Sequence, residues 1–378
     1  MKFIHISDLH LGRRFGEFSM VEDQKYILNQ MIDIVKREMP QAVIIAGDVY
    51  DKSVPPVEAV QLFDDFLFQI ASLDIKAFVI SGNHDSAERI AFGARLMDQR
   101  GIYLSQVYDG DVRPVTITDE YGELDVYLLP FLRPAHVRRF FPNDQIDSYT
   151  SALSLVVNAM EVNAQKRSLL VAHQFVTGAV LSESEDITVG TVDNVDASVF
   201  VPFDYVALGH IHRPQNVGRE TIRYCGTPLK YSFSEAGQEK SVTVVEMKEK
   251  GNIAIRTVAL VPRRDVRELR GSYMELTARA FYQAVGKADY FHITLTDEED
   301  VMDAIGKLRV LYPNVVLLDY DNIRTRSSQI LTATGHVNKS TPVDLFSDFY
   351  EKQNGQPMTE EQHQMVSDII AEIWGDGI

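Results

Sequence analysis

Short apolar runs recur along the first two thirds of the chain, and most are too short to be helices. Lys2–Ser7, Ala42–Ala46, Ala77–Ser81, Leu169–Val171 and Tyr205–Leu208 are rich in Val, Ile, Leu and Phe. Unbroken apolar runs of this length predict strands buried on both faces. Between them the apolar positions fall at helical spacing. Pro55–Leu73, for example, carries Val57, Val60, Leu62, Phe63, Phe66, Leu67, Phe68, Ile70 and Leu73, more apolar surface than one core face needs. Residues 1–262 therefore read as alternating strands and helices, the α/β pattern, and Pro262-Arg263-Arg264 marks an expected boundary. Beyond it, Tyr290–Leu295 reads as a strand and Glu298–Leu311 as a helix, with Val301, Ile305, Leu308 and Leu311 on one face. Val315–Tyr320 reads as a second strand, separated from that helix by Pro313-Asn314. Two amphipathic helices come next. The first opens at Thr341-Pro342 and carries Val343, Leu345, Phe346, Phe349 and Tyr350. The second, Thr359–Trp374, carries Met365, Val366, Ile369, Ile370, Ile373 and Trp374, and Thr359 with Gln362 is a capping-box signature.

The residues just after the five short runs carry the candidate chemistry. The runs lead into Asp8-Leu9-His10, Gly47-Asp48 with Asp51, Gly82-Asn83-His84-Asp85, Ala172-His173-Gln174 and Gly209-His210-Ile211-His212. Asp, Asn and His thus collect at the carboxyl ends of strands, where open α/β sheets place their chemistry. Residues two apart on a strand share a face, which predicts that Asp8 and His10 point together, as do His210 and His212. The glycines before Asp48, Asn83 and His210 are expected to supply sharp turns. This donor set suits two metal ions about 3.5–4 Å apart, clamping the attacking and leaving oxygens of a phosphoester displacement. Asp48, lying in chain order between the first pair and the later histidines, is the expected bridging carboxylate. The mixed imidazole, amide and carboxylate donors favour Mn²⁺ over Mg²⁺, and the lack of a thiolate argues against structural zinc.

The ordered series Asp-x-His, Gly-Asp, Gly-Asn-His-Asp, His and Gly-His-x-His resembles that of the calcineurin-like metallophosphoesterases. In detail it is similar to the SbcD family of nuclease subunits, which belongs to the double-strand-break repair nucleases. The carrying segments are Ile6–Gly12, Gly47–Asp51, Gly82–Ser86, Asp204–His212, Tyr224–Pro228 and Tyr231–Glu235. The resemblance implies a four-layer αββα metallophosphoesterase sandwich over residues 1–262. It also implies a small α+β capping domain over 263–340 that restricts which DNA shapes reach the metals, and a helical docking tail over 341–378. Carried over residue by residue, it gives one Mn²⁺ to Asp8, His10, Asp48 and His212, and the second to Asp48, Asn83, His173 and His210. His84 becomes the catalytic histidine, with Asp85 expected to orient it. Related archaeal enzymes carry a second active-site histidine where this chain has Asp51-Lys52, so that position receives no role. The implied activity is Mn-dependent hydrolysis of DNA, as a duplex 3′–5′ exonuclease and a single-strand and hairpin endonuclease in end processing. The implied partners are an SbcC-type ATPase, docked through the C-terminal helices, and a second copy of the chain. That copy would pair through Pro55–Leu73 and the segment after Asp85 in a 2:2 complex.

Composition sets outer limits. At 378 residues the chain is comfortable as two domains, and 45% hydrophobic with 24% charged residues is ordinary for a globular cytosolic protein. Met1–Ser7 reads as a strand and not as a signal peptide, and no apolar run reaches the roughly 20 residues a membrane helix needs. Cys225 is the single cysteine, which excludes an internal disulfide, fits the cytoplasm, and reads as a buried small residue. His5, of opposite parity to Asp8 and His10, reads as packing. Thirty-seven basic against 54 acidic residues give −17, the wrong sign for gripping DNA by its phosphates alone. Arg13-Arg14, the Arg133/Arg138/Arg139 segment and the Arg263/Arg264/Arg267/Arg270 cluster are the local exceptions, so DNA affinity is expected to be completed by a partner. A phosphoesterase for small phosphodiesters or phosphoproteins would share the metal residues without needing the cap or tail. A catalytically dead scaffold would tolerate lost ligands, and none is lost here.

Overall fold

All five ligand-bearing apolar runs form strands. The computed structural model describes residues 1–185, 194–323, 325, 342–354 and 356–374. Its strands begin with β1 (Lys2–Ile6), a two-residue hairpin β2 (Arg14–Phe15) and β3 (Phe18–Ser19), β4 (Ala42–Ala46), β5 (Lys76–Ile80) and β6 (Ile102–Leu104). They continue with β7 (Val115–Asp119), β8 (Gly122–Leu128), β9 (Arg167–His173), β10 (Tyr205–Gly209), β11 (Gln215–Val217), β12 (Arg219–Tyr224), β13 (Ser241–Met247) and β14 (Ile253–Ala259). Two six-stranded sheets result, ordered β14-β13-β1-β4-β5-β6 and β11-β12-β10-β9-β8-β7. β1, β4, β5 and β6 run parallel, as do β8, β9, β10 and β12.

The sheets bury their facing sides against each other. Phe3, Ile44, Phe78 and Ile80 of the first meet Val126, Leu169, Val171 and Tyr205 of the second in one core. The other face of the second sheet carries Leu170, Val206 and Leu208 into a core with Leu153, Val156 and Val157 of the helix Tyr149–Ala159. Helices α1 (Val21–Glu38) and α2 (Val57–Ser72) pack against each other, and α2 packs on β5. They bury Ile27, Leu28, Met31 and Val35, and Leu62, Phe63, Phe66 and Ile70. The αββα sandwich results from strands buried on both faces, which need a helical layer outside each sheet.

The chain divides into compact units at Met1–Val266 and Arg267–Ile378. The second unit contains a three-stranded sheet ordered β15 (Val266–Gly271), β16 (Tyr290–Leu295), β17 (Val315–Tyr320), with β16 and β17 parallel. Leu276, Phe291, Ile293, Leu308, Tyr312 and Val315 fill its core. The helix expected over Glu298–Leu311 spans only Ala304–Leu311. Asp303 sits in a left-handed conformation, with its carboxylate close against Gly306, so the helix cannot extend back through it. Strand β15 lacked a sequence signal because its exposed positions are Arg, Glu and Arg. The two tail helices are Pro342–Asn354 and Glu360–Trp374. The capping box forms as read: the Thr359 amide donates to Gln362 Oε1 at 2.9 Å, and the Gln362 amide to Thr359 Oγ1 at 3.3 Å. The expected boundary at 340 and the side chains of Ile373 and Trp374 lie outside the described residues. No helix among the described residues is long and apolar enough to cross a membrane.

Candidate metal centre

The ligand-bearing residues lie at and just beyond the strand ends, and there the strand-parity argument needs correction. β1 stops at Ile6 and β10 at Gly209, so neither Asp8/His10 nor His210/His212 alternates along a strand. Instead Asp8, His10, Asp48 and His210 all adopt positive φ, at 53°, 44°, 49° and 103°. For residues with a Cβ that conformation is uncommon and costs energy, and such strain gathers at functional sites. It is held by the neighbouring loop: the Asp8 amide donates to Gly47 O and the His10 amide to Asp48 O, each at 3.0 Å. The His210 amide donates to Asp8 Oδ1 at 3.0 Å, tying the second sheet to the first. Of the three glycines, only Gly47 needs its φ, +86°. Gly82 and Gly209 are required by proximity. A Cβ on Gly82 would strike the Asp48 carboxylate, and one on Gly209 would strike Ala46 O and come within 2.7 Å of His173 Nδ1.

All seven sequence-named ligand candidates and His84 come together. Asp48 Oδ2 is the hub, 3.3 Å from His173 Nε2, 3.7 Å from His10 Nε2 and 4.0 Å from His84 Nε2. Asn83 Oδ1 lies 3.0 Å from both His173 Nε2 and His210 Nδ1. His10 Nε2 and His212 Nε2 face each other at 3.2 Å, in a group that also includes Asp8. Asp8 Oδ1 stands 4.0 Å from His173 Nε2. All these side chains except Asn83 and His84 are buried.

This donor chemistry fits divalent cations. His173 Nδ1 lies 2.8 Å from Ala46 O, and a carbonyl only accepts, so Nδ1 carries the proton. Without a second proton, Nε2 would place a lone pair against the oxygens of Asn83 and Asp48, so this point needs either that proton or another cation. Burial opposes protonation of His173, but the adjacent Asp48 and Asp8 charges overcome it and lift the imidazole to about 9. A divalent ion bound here would take the place of that proton. His210 is lowered to about 3 by burial and by His173, and burial drives His10 well below its usual value. Both are thus kept as neutral imidazoles, the form that ligates metal.

Asp85 does not orient His84 as expected. Its carboxylate accepts the amides of Val49, Tyr50 and Gly82 at 3.0, 2.9 and 2.9 Å, stapling two ligand loops together. Burial and the Asp48 charge push its pKa up to about 6. His84 Nδ1 instead meets Asp51 O at 2.9 Å, and the His84 amide donates to Asp48 Oδ1 at 3.0 Å. Beside His84 opens a cleft of about 1180 Å³, lined by Arg13, Arg14, Lys52, Glu22 and Glu58 among others. Arg13 pairs with Asp51 at 3.0 Å and lies over the Tyr231 ring.

A second layer of residues escaped sequence reasoning. Tyr231 packs edge-on against His10 and His212 and donates its hydroxyl to Leu9 O at 2.5 Å. Ser184 Oγ lies 2.6 Å from His212 Nδ1, and Glu185 accepts the His212 amide at 2.8 Å. Glu235, fully buried, forms an ion pair with buried Lys240. Tyr231 and Glu235 lie in a segment the sequence flagged without a role. Ser184 and Glu185 sit in a polar stretch with no signal to separate them from ordinary loop. His5 is packing, as read: burial lowers it to about 3, and its ring nitrogens meet Tyr205 Oη and Leu208 O. Cys225 is buried, 3.0 Å from Ser7 Oγ. The basic cluster near the boundary is spent on ion pairs, Arg263–Glu22, Arg264–Asp23, Arg267–Asp289 and Arg270–Asp321.

The sandwich and the donor cluster at its strand ends define a metallophosphoesterase, and residues 1–214 match the calcineurin-like phosphoesterase family model. The chain belongs to that family and, within it, to the SbcD group of nuclease subunits. It is 33% identical over its full length to the SbcD subunit of the SbcCD nuclease of Staphylococcus saprophyticus and covers 100% of that protein. To the protein of the same name from Staphylococcus epidermidis it is 30% identical, with 99% of each chain covered. Residues 262–354 match the model described as the type 5 capsule protein repressor C-terminal domain, SbcD_C. A solved dimetal phosphatase from Danio rerio is similar over 69% of this chain and 96% of its own, at 11% identity and a TM-score of 0.45.

Proposed function

We propose that this nuclease-family phosphodiesterase is the manganese-dependent catalytic subunit of a cytoplasmic DNA-processing complex with an SbcC-type ATPase. In this reading it acts as a 3′–5′ exonuclease on duplex ends and an endonuclease on single strands and hairpins. One observation carries the reading: six donor side chains from four other strand ends converge around the Asp48 carboxylate. Asp8, His10, Asp48 and His212 would hold one ion, and Asp48, Asn83, His173 and His210 the other. Bound there, the ions would supply an activated water and neutralise charge on the reacting phosphate. His84, at the mouth of the cleft, donates Nδ1–H to Asp51 O and so directs Nε2 toward the reacting phosphate, where it serves the leaving oxygen. Arg14 and Lys52 would offer the cleft's cationic groups to a DNA backbone, while Arg13 is held by Asp51, and Glu22 and Glu58 line the same cleft.

Residues 263–340 serve in this reading as the cap and 341–378 as the ATPase-docking tail, which leaves Phe346, Phe349, Met365 and Ile369 exposed. Exposed Val57, Val60 and Phe68 of α2, with Phe92 and Leu96, suit pairing of two copies. The test compares manganese-dependent cleavage of end-labelled duplex DNA with turnover of an aryl phosphodiester, with and without the ATPase. Duplex cleavage that needs Mn²⁺ and is stimulated by ATP with the partner is the expected outcome. Aryl ester turnover with no DNA cleavage under any of these conditions would select the small-molecule or phosphoprotein reading.

A further inference from the structure

The Tyr224–Pro228 and Tyr231–Glu235 segments hold no ligand, yet both press on the site from behind. One set of their contacts leads to a single imidazole, His212. Glu235 is a carboxylate with no solvent exposure, held ionised by the Lys240 ammonium. It can only accept hydrogen bonds, so the Ser184 hydroxyl 2.7 Å from Oε1 must donate to it. That leaves a lone pair on Ser184 Oγ facing His212 Nδ1 at 2.6 Å. The proton between them therefore belongs to Nδ1, and the unprotonated Nε2 is turned toward His10. The His212 backbone is fixed at the same time: its carbonyl accepts from the Thr227 amide at 3.1 Å and Lys240 Nζ at 3.0 Å, and its amide donates to Glu185. The residues before Ser184 are tied to the same region, the Glu183 amide to Ser234 Oγ of the turn at 3.0 Å and Ser182 Oγ to Gln238 Nε2 just beyond it at 3.1 Å.

We infer that Lys240, Glu235 and Ser184 form a relay that locks His212 in the Nδ1–H tautomer, presenting Nε2 as a metal donor. Ser184 is the positioning residue. The relay explains why a Ser-Phe-Ser-Glu turn that touches no metal accompanies the ligand motifs in this chain. It concerns the ion assigned to His212; His173, assigned to the other ion, has its Nδ1 on the Ala46 carbonyl. Outer partners of ligating histidines are commonly worth about 10–100-fold in metal affinity.

The inference rests on His212 being a ligand, and the experiment separates the two claims. Mn²⁺ is titrated calorimetrically into the full chain carrying Ser184→Thr, Ser184→Val or His212→Ala. Thr and Val have nearly the same shape and differ in the hydroxyl, so a packing or folding effect moves both alike. The expected result is near-normal binding by Ser184→Thr and an approximately 10–100-fold loss at one of two sites in Ser184→Val. The metal-free melting temperatures of the two should agree. Equal Mn²⁺ affinities for the Thr and Val variants, whether normal or weakened, would overturn the relay. Unchanged binding of two ions by His212→Ala would instead overturn the ligand assignment beneath it.

Discussion

Among single residues, the proposed function separates side chains that would hold the metals from one, His84, that would move a proton. His84 is half-buried and lies on the cleft, whereas Asn83 beside it faces two imidazoles. His84→Ala is expected to retain both manganese ions by calorimetry while cleavage falls about 10²–10⁴-fold, the usual worth of a general acid. Loss of one whole ion in that variant would make His84 a ligand. His5 makes a different prediction. Burial, with Arg223 nearby, lowers its folded pKa to about 3, against about 6.5 when unfolded. Between those values the unfolded state holds the extra proton, so this group's contribution to stability is complete above about pH 6.5 and is lost as pH falls toward 3. Its slope is about 1.4 kcal/mol per pH unit. His5→Gln should flatten the acid limb of the stability–pH curve over that window, measured by denaturant titration. An unchanged limb would show that other groups set it.

Among the secondary-structure elements, the short strands matter because their ends bring loops from two sheets within hydrogen-bonding distance. That closeness leaves no room at Gly209, whose added Cβ would meet Ala46 O and the His173 ring. Gly209→Ala should lower stability by about 1–3 kcal/mol, the cost of overpacking a dense core. It should also weaken Mn²⁺ binding by displacing His173. Urea titration and calorimetry check both effects, and wild-type behaviour in both would refute the contact. The sequence marked this glycine for a turn, and that was the wrong reason. Gly209 has no positive φ, while His210 after it does. Spacing along one chain cannot reveal that a carbonyl from β4 and a ring from β9 flank the same point.

Across the molecule as a whole, the second unit carries what a bare phosphoesterase does not need. Its tail helices leave Phe346, Phe349, Met365 and Ile369 exposed, the last three about half or more. Such apolar anchors commonly dominate an interface at about 2 kcal/mol or more each. Replacing Phe349 and Ile369 together by Asp should abolish co-purification with the ATPase while Mn²⁺ binding stays at two ions. Normal stoichiometry with the ATPase would remove the docking role. Insolubility of a chain lacking 341–378 would show that the tail completes the chain's own core.

The strands, and which candidate donors gather around Asp48, were legible from the amino-acid order alone. Buried strands are written in runs of Val, Ile and Leu, and metal sites in residue types that little else demands at strand ends. How those donors are aimed was not legible there and came only with the folded chain. The left-handed backbone at Asp8, His10, Asp48 and His210 is held by contacts between loops, and the Asp85 staple and the path from Glu235 through Ser184 to His212 join residues far apart in the chain. Such links depend on distances between loops, and those distances exist only once two sheets have packed face to face.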